Sequence, residues 1–324
     1  MNIDRDKADY TLDDVTEVRR LFNDYKKAES ASWSDLCDRI GTAAPSTLSA
    51  FATGTYKGDN RKLAWTINRF FVAEEARQAQ ALLMPVTPGF RMTRTAERIT
   101  AQLRWAHQGE VVVVVGNPGL SKTSTVDRYC STTPNAFKAT MSAATRAPGP
   151  MLAEIARSTG RVIKNRSNMN MVYQELVQRL DGLRALLVID EAQHLSDAAL
   201  DQVRALHDRT GCGLALVGNH TVLGRIQAGV RSPEFAQIHS RVSWPQTYLT
   251  PEPQDVEILC DAWEVPPGQQ REFLAKVASL PGGVRSLTQT LKMATLAARS
   301  TEEDRCLSHL KAAWTQLSRQ PLAA

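Results

Sequence analysis

The sequence predicts an α/β protein: a P-loop core on a parallel sheet, a helical N-terminal domain resembling a helix-turn-helix, and a helical C-terminal domain. Three observations predict it. Apolar strand-like runs at Val111 to Val115, Ala136 to Met141, Ala185 to Ile189 and Leu214 to Val217 alternate with helical patterns, as parallel strands covered on both faces do. The first run leads directly into Gly116-Asn117-Pro118-Gly119-Leu120-Ser121-Lys122-Thr123, a P-loop placed between strand and helix. The chain on both sides of this core has helical periodicity. Pro85, Pro88 and Gly89 cannot continue a helix, which marks Met84 to Arg91 as a linker. The expected domains are 1–83, 84–250 and 251–324.

The elements follow in order. Asp13 to Lys27 places Val15, Val18, Leu21 and Phe22 on one helical face, and Ser34 to Ile40 places Leu36 and Ile40 on another. A turn at Gly41 precedes a helix opened by Pro45, where a missing N–H costs nothing, and closed by Gly54. This helix would present Ser46, Thr47 and Ser49, followed by Tyr56, Lys57, Arg61 and Lys62, to a nucleic acid. A docking module for a protein partner fits the same pattern. Asn60 to Leu83 closes the bundle through Leu63, Ile67, Phe70 and Phe71. A helix at 93–107 feeds the first strand. After Pro251 four helical pieces are expected, starting near Gln254, Gly268, Val284 and Thr301.

The motifs state their chemistry. Gly116 and Gly119 let backbone N–H groups close around phosphate oxygens, Lys122 supplies a cation, and Thr123 supplies a hydroxyl for magnesium. Asn117, Pro118 and Leu120 complete the loop. Ser121 stands where a glycine is usual and adds a side chain to a crowded turn, which predicts weaker binding or slower turnover. Ala185 to Ile189 ends in Asp190 and Glu191: an apolar strand closed by two carboxylates, one to hold magnesium through water and one to act as general base. Leu214 to Val217 ends in Gly218 and Asn219, an amide placed to orient the attacking water. ATP and Mg2+ are the expected ligands.

Composition and charge narrow the class. With 43% hydrophobic and 23% charged residues among 324, disorder throughout is excluded. The aliphatic run Val111 to Val115 falls far short of the roughly 20 residues that span a bilayer, so the expectation is a cytoplasmic chain with no membrane partner. Cys37, Cys130, Cys212, Cys260 and Cys306 are scattered, with no CxxC pair, and read as reduced thiols. Residues 81–170 hold 12 Lys and Arg against 4 Asp and Glu, whereas 1–80, 171–250 and 251–324 each carry one excess acid. A polyanion footprint is therefore expected in that basic stretch.

With the three strand ends in this order, the sequence resembles the AAA+ ATPases, and within them the MuB and TnsC group of transposition target-selection ATPases. Tyr56-Lys57-Gly58-Asp59-Asn60 and Gly218-Asn219-His220 carry the likeness to that group; Ile189-Asp190-Glu191-Ala192, Ser240-Arg241 and Pro281-Gly282-Gly283-Val284-Arg285 carry the wider one. The resemblance implies that Arg241 reaches a neighbouring subunit's site, with Arg231 and Arg225 in reserve. It also implies that Arg285 contacts nucleotide from a C-terminal lid domain. Arg146 and the segment of Arg161, Lys164 and Arg166 would face a central channel and touch DNA. The implied activity is ATP hydrolysis by a homo-oligomer, a helical filament or ring on duplex DNA, that selects target sites and activates a transposase. A nucleotide-gated transcriptional regulator and a helicase-loader-like ATPase are the competing readings.

Overall fold

The structure is a computed structural model and describes residues 10–41, 44–160, 168–228 and 237–318. It divides between Pro85 and Val86 into two compact units.

Among its described residues the first unit holds four helices: α1 (Leu12–Glu29), α2 (Trp33–Ile40), α3 (Pro45–Thr53) and α4 (Asn60–Leu83). Local signals set their ends. Thr11 with Asp14, and Ser32 with Asp35, form reciprocal capping boxes, and the left-handed Gly41 and Gly54 terminate α2 and α3. Phe22, Leu36, Leu48, Phe51 and Ile67 form the buried core. Arg19 Nε donates to Phe51 O at 2.8 Å, fixing α1 to α3.

Among its described residues the second unit has a five-stranded, wholly parallel sheet in the order β2-β3-β4-β1-β5. Its strands are β1 (Val111–Gly116), β2 (Ala136–Thr140), β3 (Leu186–Asp190), β4 (Gly213–Gly218) and β5 (Val242–Tyr248). Alternation along each strand splits the core in two. Val111, Val113, Leu187 and Leu214 face α7 (Pro148–Ser158), α8 (Met169–Leu180), α9 (Asp197–Thr210) and α10 (His220–Ala228). Val112, Val114, Val188 and Val217 face α5 (Arg94–Ala106) and α6 (Lys122–Thr132). Both sides being covered explains the uninterrupted apolar runs. At the β5 edge, Ser243 is an extra residue: Val111 pairs with Val242 but Val112 with Trp244, and Ser243 Oγ donates to Val111 O at 3.1 Å.

Four helices complete the unit: α11 (Pro253–Ala262), α12 (Gln269–Ser279), α13 (Gly283–Ser300) and α14 (Leu307–Ser318), packed through Leu274, Leu287, Leu291 and Leu310. The last begins later than the expected Thr301. Thr301 instead closes α13 and Glu302 turns left-handed (φ 55), so the acidic run precedes a helix N-terminus, where its charge is favourable. Burial pushes the Cys130 and Cys260 thiols up to about 11, whereas the exposed Cys306 is held low by its hydrogen bond with Ser308. Among the described residues no helix is long and apolar enough to cross a membrane.

Candidate nucleotide site

Parallel pairing brings the carboxyl ends of β1, β4 and β3 side by side along one edge of the sheet. Gly116, Gly218 and Asp190 end these strands, and the loops that follow enclose a cavity of about 630 Å³. The P-loop, Asp190, Glu191 and Asn219 line it from the sheet side. Arg285 and Lys292 line it from α13.

Close backbone approaches shape the P-loop. A Cβ on Gly116 would lie 2.3 Å from Tyr248 O, and one on the left-handed Gly119 (φ 84) 1.9 Å from Gly282 O. Only glycine fits at either position. Asn117 anchors the loop on two sides: its N–H donates to Tyr248 O (3.1 Å), its side-chain amide donates to Leu249 O (2.7 Å), and its Oδ1 meets His220 Nε2 at 3.2 Å. Ser121 is left-handed (φ 57) at the N-cap of α6, with no side-chain capping bond. The crowding expected there is thus a backbone demand. Lys122 Nζ donates to Gly116 O and Asn117 O, both at 2.8 Å. Burial lowers its pKa, while Glu191 and Asp190 oppose the shift. Thr123 is exposed in the first turn of α6, a helix N-terminus that favours anions.

Asp190 is buried at 2% exposure. One carboxylate oxygen accepts from the Glu191 N–H at 3.0 Å; the other, Oδ2, accepts no well-formed hydrogen bond and meets the Lys138 ammonium at 3.4 Å. Lys138, on β2, also binds Asp127 Oδ1 at 2.6 Å. Burial would lower this lysine, but the bond to Asp127 and the charges of Asp190 and Asp127 outweigh it, and its pKa is raised. Glu191 is left-handed (φ 54), and its carboxylate accepts from the Gln193 side-chain amide. Gln193 Oε1 in turn accepts from the Asn219 N–H at 3.3 Å, so one side chain ties Glu191 to the end of β4.

The magnesium donor set fits the residues present. A buried carboxylate oxygen without a hydrogen bond and a threonine hydroxyl border one cavity, the hard oxygen donors that Mg2+ takes alongside phosphate and water. Among the described residues no group of three or more His, Cys, Asp or Glu side chains could hold a metal unaided.

The expected arginines and lysines distribute widely. Arg285 lines the cavity in the first turn of α13, and Gln289 and Lys292 join it at helical spacing, a periodicity visible in the sequence. Arg241 lies outside the cavity lining and grips Asp208 of its own chain through two bonds of 3.0 and 3.2 Å. That contact, with Arg204 and His207 nearby, outweighs burial and holds the Asp208 carboxyl low. Arg225 donates to Leu195 O at 2.7 Å and pairs with Asp197. Arg146 is exposed, its carbonyl accepting from Ser196 N–H at 2.9 Å; Lys57 and Arg61 are exposed in the first unit. Arg161, Lys164, Arg166 and Arg231 lie outside the described residues. Sequence reasoning missed Asp127, Lys138, Gln193 and Lys292.

Comparison with known proteins places this geometry. Residues 104–226 match the family model of the AAA domain, and 240–317 match that of the Mu B transposition protein, C terminal. The chain is 29% identical to the ATP-dependent target DNA activator B of Escherichia phage Mu over 94% of its length, covering 96% of that protein. The same identity and coverage hold for the protein of that name from Escherichia phage D108. Among solved structures, the Aeropyrum pernix ORC2 protein shares the fold, with a TM-score of 0.53 at 18% identity over 71% of this chain and 70% of that one. Each side chain lining the cavity falls inside one of the two family matches. The chain therefore carries an AAA domain followed by a segment matching the C-terminal domain of the Mu B transposition proteins, and it is similar to proteins of that kind along nearly its whole length.

Proposed function

We propose that the protein is an ATP-dependent target-DNA activator: an ATPase that assembles on duplex DNA in its ATP state, marks target sites and stimulates a transposase. The observation that carries this reading is the convergence of Lys122, Asp190, Glu191, Asn219 and Arg285 on one cavity, in a chain similar nearly end to end to proteins named for that activity.

The triphosphate would replace the loop carbonyls as partners of Lys122, and its oxygens would meet the backbone N–H groups that open α6. Thr123, with Asp190 through water, would hold Mg2+, which neutralises phosphate charge. Arg285 and Lys292 add charge from α13. A second cavity of about 280 Å³, lined by Pro118, Leu120, Leu249, Pro251, Leu280 and Pro281, lies against the other side of the P-loop and suits an apolar base. In hydrolysis Glu191 takes the proton of a water aligned by Asn219, the water oxygen bonds to the γ-phosphorus, and the bond to the ADP oxygen breaks. Gln193 must release Glu191 for this, a step that Asn219 can report. Arg241 completes the site of a neighbouring copy, which makes the homo-oligomer the active species.

DNA contacts are assigned to the basic stretch 81–170, through Arg146, Arg161, Lys164 and Arg166, with Lys57 and Arg61 as the helix-turn-helix alternative. Phosphate contacts carry no sequence information. Binding of random-sequence duplexes should therefore need ATP and fall steeply with salt, by about 0.9 in log–log slope per contact. Lys122→Ala should lose nucleotide binding and with it DNA binding; Glu191→Gln should bind both and persist on DNA. Electron microscopy with an ATP analogue and duplex DNA, beside fluorescent-nucleotide titration, tests this. A sequence-specific footprint retained without nucleotide would assign the protein to transcriptional regulation instead.

A further inference from the structure

Lys138 has no role in the reading above, yet it sits against its most buried charge. It projects from β2, whose register places Thr140 beside Asp190 and Lys138 two residues behind. Its side chain is 17% exposed and its ammonium divides between two carboxylates: Asp127 Oδ1 at 2.6 Å and Asp190 Oδ2 at 3.4 Å. The two acids differ sharply. The Asp127 side chain, on α6, is 57% exposed and lines the cavity; that of Asp190 is 3% exposed, and its Oδ2 has no hydrogen-bond donor.

We infer that Lys138 is a positioning residue that competes with the divalent cation for Asp190, and that Asp127 sets the strength of the competition by drawing the ammonium away. The inference rests on the assignment of Asp190 to magnesium. A buried carboxylate is costly without a counter-charge, and Lys138 supplies one in the folded chain. A divalent cation bound at Asp190 places like charge close to that ammonium. The exposed Asp127 offers Lys138 a second partner already in contact, so the lysine can yield Asp190 without losing its own. Metal binding then moves one ammonium between two acids.

Titrating MgCl2 at constant ionic strength into each full-length variant with a fluorescent ATP analogue, read by anisotropy, tests this apart from turnover. Lys138→Met should lower the half-saturating Mg2+ by roughly tenfold, the scale of one opposite charge within 4 Å of a carboxylate. Asp127→Asn, which leaves the ammonium to Asp190 alone, should raise it severalfold. Lys138→Arg should stay near the parent protein, because it keeps the charge. The double variant Lys138→Met with Asp127→Asn should behave as Lys138→Met, since Asp127 acts through the lysine. A Lys138→Met protein that needs more Mg2+, or as much as the parent, overturns the inference; so does a double variant that adds the two effects. Thr123→Ala and Asp190→Asn separate the two levels. If they raise the Mg2+ requirement while Lys138→Met leaves it alone, only the lysine assignment fails. If neither alters it, the magnesium assignment fails and takes the lysine with it.

Discussion

Ser121 occupies a left-handed backbone conformation (φ 57) that costs an L-residue about 1–2 kcal/mol, with no capping bond in return. Its hydroxyl group therefore explains little of what the position demands; the missing glycine explains more. Ser121→Gly should relieve the strain and give back about 0.4–1 kcal/mol through the greater freedom of glycine in the unfolded chain. The net is a stabilisation of about 0.5–1 kcal/mol, checked by urea unfolding, together with a faster ATP turnover. Slower turnover in that variant would show that the Ser121 side chain serves the reaction. Glu191, at φ 54, is the other strained position of the site. There the strain coincides with the carboxylate proposed as general base and restrained by Gln193, the usual company of backbone strain.

At the scale of elements, the buried carboxylate of Asp255 joins the C-terminal helices to the sheet unit. It caps α11 through the Glu252 N–H (3.0 Å) and receives both the N–H (3.0 Å) and hydroxyl (2.5 Å) of Thr95 at the start of α5. Asp255→Ala strands these donors and should cost about 2–4 kcal/mol in denaturant unfolding, while Asp255→Asn, which keeps one acceptor, should cost less. An unchanged midpoint in the alanine variant would show that the contact is incidental. No sequence pattern announces this link, because 160 residues separate its partners. The same limit explains what else was hidden. β1, β3 and β4 were legible as apolar runs because helices cover both faces, and each of their polar ends was legible because motif residues follow the last apolar one. Lys138 was not: it interrupts a strand, and only the pairing of Thr140 with Asp190 carries it to the site. Gln193 was hidden for a related reason, since a short turn after Glu191 folds its amide back onto the acid. Lys292 could have been found, at two helical turns from Arg285.

For the molecule as a whole, the arrangement of Arg241 makes oligomerisation the decisive test. This arginine is held by Asp208 in its own chain, so acting on a neighbour requires that pair to open. Arg241→Ala should bind ATP yet lose roughly 1,000-fold or more of its turnover, the lower range of trans-acting arginines. Mixed with Glu191→Gln protein it should regain part of the activity, because some interfaces then join an intact base to an intact arginine. Co-assembled mixtures without recovery would confine Arg241 to its own subunit. In the proposed oligomer, how copies meet is constrained by the edge of the sheet. Pro245 stands in β5 with no N–H to offer, and the extra Ser243 throws the strand out of step beside it. An incoming strand finds no ladder to continue on that side. Growth by main-chain pairing, which resists dissolution, is thereby closed at β5, and subunits joining there must do so through side chains. The proposed oligomer, joined in that way, would be free to come apart when its nucleotide is spent.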